Sequence, residues 1–485
     1  MRRITIDPIT RLEGHGKIEI FLNDAGNVDR AFFQVPELRG FEKFCEGRAV
    51  EEMPRITSRI CGVCPTAHHM AATKALDDLF QVEPTPPARK IRELMYSAFV
   101  IEDHMLHFFF LGAPDFIVGL DAPASQRNIL GVISQVGLEI GKKIIEGRKR
   151  CREILKLIGG KPVCPVCGLP GGVSKALKEE DRAGIKESAN YLIEVAQLAL
   201  KLFDDRVIKN KKYLDLISGD VYKHRTYYMG LVDAQNRVNF YDGNVRVIDP
   251  DGEEFVKFNG HDYLSHIEEH VEPWSYTKFS SLKAIGWKGF IDGKESGVFR
   301  VAPLARLNVA DGMATSLAQG AYEKMYDVLG SKPVHNTLAF HWARLIEMLY
   351  GAERMLELAE DPELTDPDVR NIPTEAPDEG IGVVEAPRGT LIHHYKTDER
   401  GILTDVNLIV ATQNNAAAIC MSVERAAKLL INHGEVSDRL LNMVEMAFRA
   451  YDPCLACATH SLPGKMPLEI KIRNKDGEVI KTLRR

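Results

Sequence analysis

The sequence predicts an α+β protein that is mainly α-helical, with a long central helix bundle and small peripheral sheets. Long segments in which apolar residues recur every three or four positions predict the helices. Short segments in which apolar and polar residues alternate, separated by turn-forming pairs, predict the sheets. A chain of 485 residues with 45% hydrophobic and 27% charged content can bury a large core, as ordinary globular proteins do.

The first half of the chain combines a small sheet with long helices. Residues 17–22 and 31–35 alternate apolar and polar positions around a turn at 23–27, which predicts paired strands. Helical spacing then predicts three long helices, at 88–111, 125–158 and 179–205.

The second half begins with strand-and-turn material at 223–299, which is rich in Gly, Asp and aromatic residues. Helical spacing returns after it, and 380–396 has the pattern of a hairpin. The predicted helices are 311–329, 335–359, 415–432 and 437–450. The one linker candidate is 361–378, which contains four prolines and six acidic residues.

Charge and hydropathy patterning exclude two classes of function. The net charge is −6 and no basic face is evident, so nucleic acid is not an expected partner. The most apolar stretches, 99–120 and 408–431, each contain three charged residues, which argues against direct membrane insertion. Arg2 and Arg3 are not followed by the apolar region of an export signal, so a cytoplasmic location is expected.

Six of the nine cysteines form three CxxC pairs, which in a large protein without a secretion signal indicate metal or redox chemistry. The pairs are Cys61/Cys64, Cys164/Cys167 and Cys454/Cys457. The outer two pairs are each followed closely by a histidine, and together they offer four soft thiolate ligands to one metal centre. On spacing alone a structural zinc site stays open, although a separation of about 390 residues is unlike a compact zinc module.

The segments around these cysteines resemble the large, catalytic subunit of nickel–iron hydrogenases. The matching segments are 11–16 (RLEGHG), 59–64 (RICGVC), 300–307 (RVAPLARL), 385–390 (EAPRGT) and 452–460 (DPCLACATH). The resemblance implies the [NiFe] hydrogenase large-subunit fold. It also implies reversible heterolytic cleavage of dihydrogen to protons and electrons.

The resemblance implies a ligand set for the metal centre. Cys61 and Cys454 would be terminal nickel ligands, and Cys64 and Cys457 would bridge nickel to an iron that carries one carbon monoxide and two cyanides. Some relatives have selenocysteine at the position of Cys454, where this chain has cysteine.

The same resemblance implies further site residues. Glu42, the backbone carbonyl of Leu408 and His460 match a hard-cation site, usually magnesium. His68 and His104 match residues that hydrogen-bond a sulfur or a nearby carboxylate, while other histidines are interpreted as ordinary, partly buried residues: His69, His107, His393 and His394.

Proton transfer needs a base beside the metals. The Cys454 thiolate ranks first and Arg388 second, because a guanidinium is a poor base. Asp103 and Asp452 match the carboxylates that orient this arginine. Glu13 matches the first proton acceptor.

For Glu13 and Thr412 an alternative interpretation remains open. Glu13 could instead be a structural ion-pair partner of Arg11. Thr412 matches the hydroxyl residue that hydrogen-bonds a cyanide, or else is a plain loop threonine.

Cys164 stands where many relatives have a histidine that helps to wire or protect the neighbouring cluster of the partner subunit. Cys164/Cys167 is interpreted as a pair of free thiols, with a disulfide or an extra metal site as the alternatives.

The resemblance further implies partners and processing. An iron–sulfur small subunit would receive the electrons, and further electron-transfer subunits of heterodisulfide reductase or diaphorase type would follow. Residues 1–460 would form a single catalytic domain, and 461–485, a predicted hairpin, would be an extension removed by a maturation endopeptidase. The alternatives are a nickel-free, hydrogenase-like subunit of a quinone oxidoreductase and a zinc-binding scaffold protein.

Overall fold

The computed structural model describes residues 2–461, 469–474 and 477–484. This part of the chain contains fifteen α-helices, numbered in chain order: α1 (Phe41–Cys45), α2 (Met53–Thr57), α3 (Pro65–Leu79), α4 (Pro86–Leu106), α5 (Ile129–Val136), α6 (Leu138–Gly159), α7 (Glu179–Phe203), α8 (Lys211–Ser218), α9 (Tyr263–His266), α10 (Pro303–Val309), α11 (Ser316–Leu329), α12 (Phe340–Glu360), α13 (Ala411–Leu430), α14 (Asp438–Arg449) and α15 (Leu455–Ala458).

The same described residues contain sixteen strands: β1 (Arg2–Ile6), β2 (Lys17–Leu22), β3 (Val28–Gln34), β4 (Gly168–Leu169), β5 (Gly172–Val173), β6 (Tyr227–Val232), β7 (Asn244–Ile248), β8 (Glu254–Phe258), β9 (Ile267–Val271), β10 (Lys278–Leu282), β11 (Phe299–Arg300), β12 (Glu379–Ala386), β13 (Gly389–Thr397), β14 (Leu403–Ile409), β15 (Glu469–Arg473) and β16 (Val479–Arg484). They pair as the sheets β1-β2-β3, β11-β6-β7-β8, β12-β13-β14, β9-β10, β4-β5 and β15-β16. The predicted class, mainly helical α+β with small peripheral sheets, is confirmed.

A helix bundle forms the centre of the molecule. Helix α12 packs against α7 and α4, and α4 packs against α6. Most side chains of α12 are buried on all sides, as expected for a helix inside the core of a large protein. In the described residues, no helix has both the length and the apolarity needed to cross a membrane.

The single helix predicted at 125–158 is wrong, because the structure has two helices there. Asn128 caps the start of α5 by accepting hydrogen bonds from the amides of Leu130 and Gly131. Gly137 then separates α5 from α6 with a φ of 94°, which only glycine adopts readily.

Helix α3 is an element that the sequence patterns did not predict. It begins at Pro65, directly after Cys64, and proline is favoured at the first position of a helix. All of its side chains except Lys74, Asp77 and Asp78 are buried, so only a short polar stripe marks it as a helix in the sequence.

Strand β12 lies directly on α3, and two glycines allow this. A Cβ atom at Gly382 would lie 2.0 Å from the carbonyl oxygen of Ala71, and one at Gly380 would lie 2.3 Å from that of Ala75. The close approach fixes α3, and with it Cys64, against the β12-β13-β14 sheet.

Two other predicted segments have clear places in the fold. The linker candidate 361–378 is held to the β4–β5 hairpin, where the amide of Val173 donates to the carbonyl of Val369 at 3.0 Å. The predicted C-terminal hairpin corresponds to β15 and β16, while Leu468 and Asp476 of that prediction lie outside the described residues.

Candidate metal centre

Four cysteines from opposite ends of the chain meet inside the protein. Cys61 lies in the loop between α2 and α3, and Cys64 immediately precedes α3. Cys454 immediately precedes α15, and Cys457 lies within it. All four are buried, and their sulfur atoms lie within 4.8 Å of one another.

The spacing of the sulfurs suits ligands that surround one small metal centre. Cys454 Sγ lies 2.8 Å from Cys457 Sγ and 3.2 Å from Cys61 Sγ, and Cys64 Sγ lies 3.2 Å from Cys457 Sγ. Burial raises the pKa of the Cys454 and Cys457 thiols well above the usual value. A metal cation would compensate this cost and hold the sulfurs as thiolates, so the donor set fits a soft metal.

Glu13 is in direct contact with the sulfur cluster. Its Oε2 lies 3.0 Å from Cys454 Sγ and accepts a hydrogen bond from the amide of Ala456 at 3.1 Å. Burial raises the pKa of its carboxyl. The alternative pairing with Arg11 is wrong, because the Arg11 guanidinium instead bonds to Asp115 at 2.6 Å.

Arg388 lies at the tip of the β12–β13 hairpin, where Ala386 pairs with Gly389 across a two-residue turn. One terminal nitrogen donates to Asp103 Oδ2 at 3.0 Å, and the other lies 2.8 Å from Asp452 Oδ2. Asp103 belongs to α4, whereas Asp452 lies in the loop before α15. The hairpin, a bundle helix and the cysteine loop therefore converge on one guanidinium.

The electrostatics of this group follow from burial and close charges. Burial alone would lower the pKa of Arg388, but the Asp103 and Asp452 carboxylates outweigh it and raise the pKa. Cys454 and Cys64 also raise it, which is consistent with a guanidinium beside the sulfurs. Burial raises the pKa of Asp103 to about 7, although Arg388 opposes the rise.

His68 and Thr412 contact the cysteines directly. His68 Nε2 lies 3.4 Å from Cys457 Sγ. Thr412 Oγ1 accepts a hydrogen bond from the Cys454 amide at 3.0 Å, which leaves its own hydroxyl hydrogen available to another acceptor.

His104 contacts a carboxylate. Its Nε2 lies 2.9 Å from Glu347 Oε2, and Glu347 makes two hydrogen bonds of 2.6 Å with Arg306. Arg306 also bonds to Glu385 at 2.7 Å, so His104 belongs to a buried charge network next to the hairpin that carries Arg388.

Glu42, His460 and Leu408 also meet. The Leu408 amide donates to Glu42 Oε1 at 2.8 Å, so the structure shows its amide, not its carbonyl, in contact with Glu42. His460 Nδ1 lies 2.8 Å from the Cys457 carbonyl, which can only accept a hydrogen bond, so Nδ1 carries the hydrogen. His460 Nε2 is buried without a partner, 3.5 Å from Glu42 Oε1. A ring nitrogen without a hydrogen-bond partner beside a carboxylate fits a cation site.

His393 is a site residue that the sequence interpretation missed. Its Nε2 lies 3.1 Å from His68 Nδ1, and its Nδ1 lies 2.6 Å from Tyr395 Oη. The alternation of side chains along strand β13 is the signal that could have revealed this contact, because it places His393 and Tyr395 on the same face.

The middle cysteine pair lies outside this cluster, and both of its thiols are free. Cys164 Sγ donates to the carbonyl of Ser58 at 3.3 Å. Cys167 is buried, with its sulfur 3.9 Å from His69 Nε2 and 3.7 Å from Met95 Sδ. In the described part of the chain, the outer four cysteines are the one group of three or more potential ligands.

Comparison with known families gives two matches that together span most of the chain. A family model described as nickel-dependent hydrogenase matches residues 39–130 and 143–460. A model described as HoxL-like matches residues 3–38.

Similar curated proteins match over nearly the whole of both chains. The chain is 51% identical over 485 residues to an F420-non-reducing hydrogenase subunit of Archaeoglobus profundus, covering 100% of each. It is 41% identical to an F420-non-reducing hydrogenase subunit of Methanothermobacter marburgensis, again covering 100% of each. It is 41% identical to the beta subunit of the NAD-reducing hydrogenase HoxS of Cupriavidus necator, covering 99% of each.

Solved structures share the fold. A crystal structure of an NAD+-reducing [NiFe]-hydrogenase in its H2-reduced state superposes with a TM-score of 0.88 at 38% identity, over 95% of this chain and 100% of that chain. A Ni-Fe-Se hydrogenase from D. vulgaris Hildenborough superposes with a TM-score of 0.74 at 24% identity, over 95% and 100%. At that identity the second likeness shows the fold alone.

Proposed function

The chain belongs to the nickel-dependent hydrogenase family and is the catalytic large subunit of a [NiFe] hydrogenase, and from this premise we propose how its residues carry out reversible cleavage of dihydrogen. The comparisons give no support to a nickel-free quinone oxidoreductase subunit or to a zinc scaffold. The single observation that carries the proposal is the buried group of four sulfurs within 4.8 Å of one another.

The four cysteines would hold the metals. Cys61 and Cys454 would bind nickel alone, and Cys64 and Cys457 would be shared with an iron that would carry one carbon monoxide and two cyanides. When bound, this centre supplies the heterolytic splitting of dihydrogen and accepts its two electrons.

The proton leaves through Cys454 and Glu13. The Cys454 sulfur receives the proton, and Glu13 takes it onward across a contact of 3.0 Å. Direct hydrogen-bond contact is the geometry that proton transfer requires.

Arg388 acts by charge and position. The guanidinium remains protonated between Asp103 and Asp452, so it serves less well than the sulfur as a base. It presents a fixed positive charge beside the sulfurs of Cys454 and Cys64.

Other residues complete the site. Thr412 would direct its hydroxyl hydrogen to a cyanide, and His68 would donate to the Cys457 sulfur. His104 keeps the Glu347–Arg306 network in place behind the hairpin. Glu42, His460 and the Leu408 carbonyl would hold magnesium, a proposal that the unpartnered Nε2 of His460 supports.

Metal analysis combined with infrared spectroscopy tests this function. We expect nickel and iron near one each per chain, with absorption bands from bound carbon monoxide and cyanide. Zinc alone, or no metal in an active preparation, would contradict the proposal.

The electrons must leave to a partner, because the described residues offer no second cluster of metal-ligating side chains. We propose an iron–sulfur small subunit as the immediate acceptor. We further propose that electron-transfer subunits of heterodisulfide reductase or diaphorase type follow it, in a cytoplasmic complex.

We also propose that residues 1–460 are the mature catalytic domain and that a maturation endopeptidase removes 461–485. The contrast between buried His460 and Ser461 and the exposed residues 477–483 supports a boundary here. Intact-mass measurement of nickel-containing active enzyme should give a chain that ends near His460. Recovery of the full-length chain in that preparation would contradict the cleavage.

A further inference from the structure

A continuous row of hydrogen-bonding groups leads from the cysteine cluster into the protein. Cys457 Sγ lies 3.4 Å from His68 Nε2, and His68 Nδ1 lies 3.1 Å from His393 Nε2. His393 Nδ1 then lies 2.6 Å from Tyr395 Oη. All four residues are buried, so water does not compete for these contacts.

The chemistry of the groups determines which atom donates in each hydrogen bond of the row. A cysteine sulfur that binds metal carries no hydrogen, so His68 Nε2 must donate to Cys457. Two facing ring nitrogens share one hydrogen, since two N–H groups would repel and two lone pairs would leave the contact unmade. Among the described residues, no carboxylate contacts either ring, so buried neutral imidazoles are favoured over a buried charge.

With neutral rings, one arrangement satisfies every contact. His68 donates from Nε2 and accepts at Nδ1, so His393 donates from Nε2. His393 then accepts at Nδ1, so Tyr395 donates its hydroxyl hydrogen. Thr57 is a second neighbour of the tyrosine hydroxyl, and its oxygen can accept because its own hydrogen goes to the Met53 carbonyl at 2.7 Å. The imidazole nitrogen of His393 is the stronger acceptor of the two.

We propose that His393 and Tyr395 are positioning residues that fix the tautomer of His68 and keep it as a hydrogen-bond donor to Cys457. This inference rests on the proposed function, in which Cys457 bridges nickel and iron. Neither residue touches the metals, and both act through His68. Tyr395 reinforces the polarity that the Cys457 thiolate requires, because its hydroxyl hydrogen goes to the imidazole nitrogen of His393 and so keeps that nitrogen an acceptor.

The consequence is electronic. A hydrogen bond to a bridging sulfur withdraws electron density from the sulfur and, through it, from iron. Without the donor, iron would share more electron density with its carbon monoxide. The carbon–oxygen bond would weaken, and its infrared band would move to lower wavenumber.

The decisive variant is Tyr395→Phe in the complete, metal-loaded complex. It removes the hydroxyl oxygen of Tyr395 and keeps the aromatic ring. His393 is then free to adopt either tautomer. We expect unchanged nickel and iron content and a carbon monoxide band at lower wavenumber than in the unmodified enzyme. A band at the unmodified position would overturn the proposal.

The chain supplies a matched control in Tyr263→Phe. Tyr263 is equally buried, and its hydroxyl lies 2.9 Å from Nδ1 of His394, the residue next to His393 on the opposite face of β13. His394 leads to Glu379, not to a cysteine. This variant should leave the band in place, and an equal shift in both variants would also overturn the proposal.

Substitutions at His393 separate its donor function from simple packing. His393→Gln retains an amide donor toward His68 and should keep the band near its original position, whereas His393→Leu should shift it. If the glutamine variant shifts the band as far as the leucine variant does, His393 acts through packing and the inference fails.

A measurement on the unmodified complex does not depend on any variant folding. Neutron diffraction should place hydrogens on Tyr395 Oη, His393 Nε2 and His68 Nε2. A hydrogen on His68 Nδ1 instead would overturn the inference. Failure of the proposed function would look different, because the unmodified enzyme would then show no carbon monoxide or cyanide bands at all.

Discussion

The guanidinium of Arg388 uses two of its nitrogens to bridge carboxylates from different elements, at 3.0 Å to Asp103 and 2.8 Å to Asp452. This geometry depends on the planar fork of arginine, because the point charge of lysine cannot span two carboxylates in the same way. The guanidinium and its two carboxyl partners are thus held near the sulfurs in a fixed arrangement with little freedom to reorganise.

We therefore predict that Arg388→Lys lowers hydrogen-dependent viologen reduction by roughly 100-fold or more, as loss of a fixed electrostatic donor does. Nickel and iron content should persist, because Arg388 is not a ligand. The control is Arg354→Lys, because Arg354 forms a partly exposed ion pair with Glu93. Unchanged turnover in Arg388→Lys would show that Arg388 takes no part in catalysis.

Glu13 illustrates how one residue combines a chemical and a structural function. The same oxygen that faces Cys454 also accepts from the Ala456 amide, so the carboxylate holds the cysteine loop while it contacts the sulfur. A glutamine could keep the second contact through its amide oxygen, but it cannot carry a proton as a carboxylate does.

Glu13→Gln should therefore retain both metals and lose turnover by about 100-fold to 10,000-fold, the range for loss of a proton-transferring group. Exchange of hydrogen isotopes between dihydrogen and water should fall in parallel. The exposed Glu153→Gln serves as the control. Normal exchange in Glu13→Gln would mean that protons leave by another route.

At the scale of elements, α3 and strand β12 form the contact that aligns the first cysteine pair. Cys64 precedes α3 and His68 lies in its first turns, so any shift of this helix moves both. The position of the helix is set by the close approach of Gly380 and Gly382 to its backbone. A side chain at either glycine would have to push the strand away.

Gly382→Ala should lower the free energy of unfolding by about 1–3 kcal/mol, the usual cost of overpacking, and should reduce nickel content. Gly184→Ala is the matched control, because a Cβ atom there, in α7, meets nothing within 4 Å. That change should stabilise the protein by about 0.5–1 kcal/mol, since it removes a helix-interior glycine. Thermal unfolding monitors both, and equal melting temperatures would contradict the packing argument.

At the scale of the whole molecule, the metal centre would connect the two ends of the chain. Cys61 and Cys64 anchor the beginning of the bundle, whereas Cys454 and Cys457 belong to a short loop and helix that follow α14. Metal that binds only the folded chain adds its binding free energy to the stability of the contact between these two segments, which we call the closure.

Protein produced without nickel should therefore melt at a lower temperature than metal-loaded protein, with a stability difference of about 4 kcal/mol if the metal is present at 1,000 times its dissociation constant. Limited proteolysis should cut the metal-free chain first within residues 452–461. Cys61→Ser should abolish the difference between the two preparations, and Cys164→Ser, outside the cluster, should preserve it. A melting temperature independent of metal would show that the closure is complete without the centre.

The sequence by itself predicted the class of fold and the four cysteines that meet in the structure. Period-two alternation predicted β2, β3 and the β12–β13 hairpin, and the flanks of the outer cysteine pairs indicated a nickel–iron site. These features are local, so a few neighbouring residues carry the whole signal.

The tertiary structure alone decided which groups touch. It put Glu13 against Cys454 and not against Arg11, started a helix at Pro65, and joined His393 and Tyr395 to Cys457 through His68. The reason is physical. A side chain's partner depends on the packing of elements about 390 residues apart, and an almost fully buried helix such as α3 has only a short polar stripe from which its sequence could predict it.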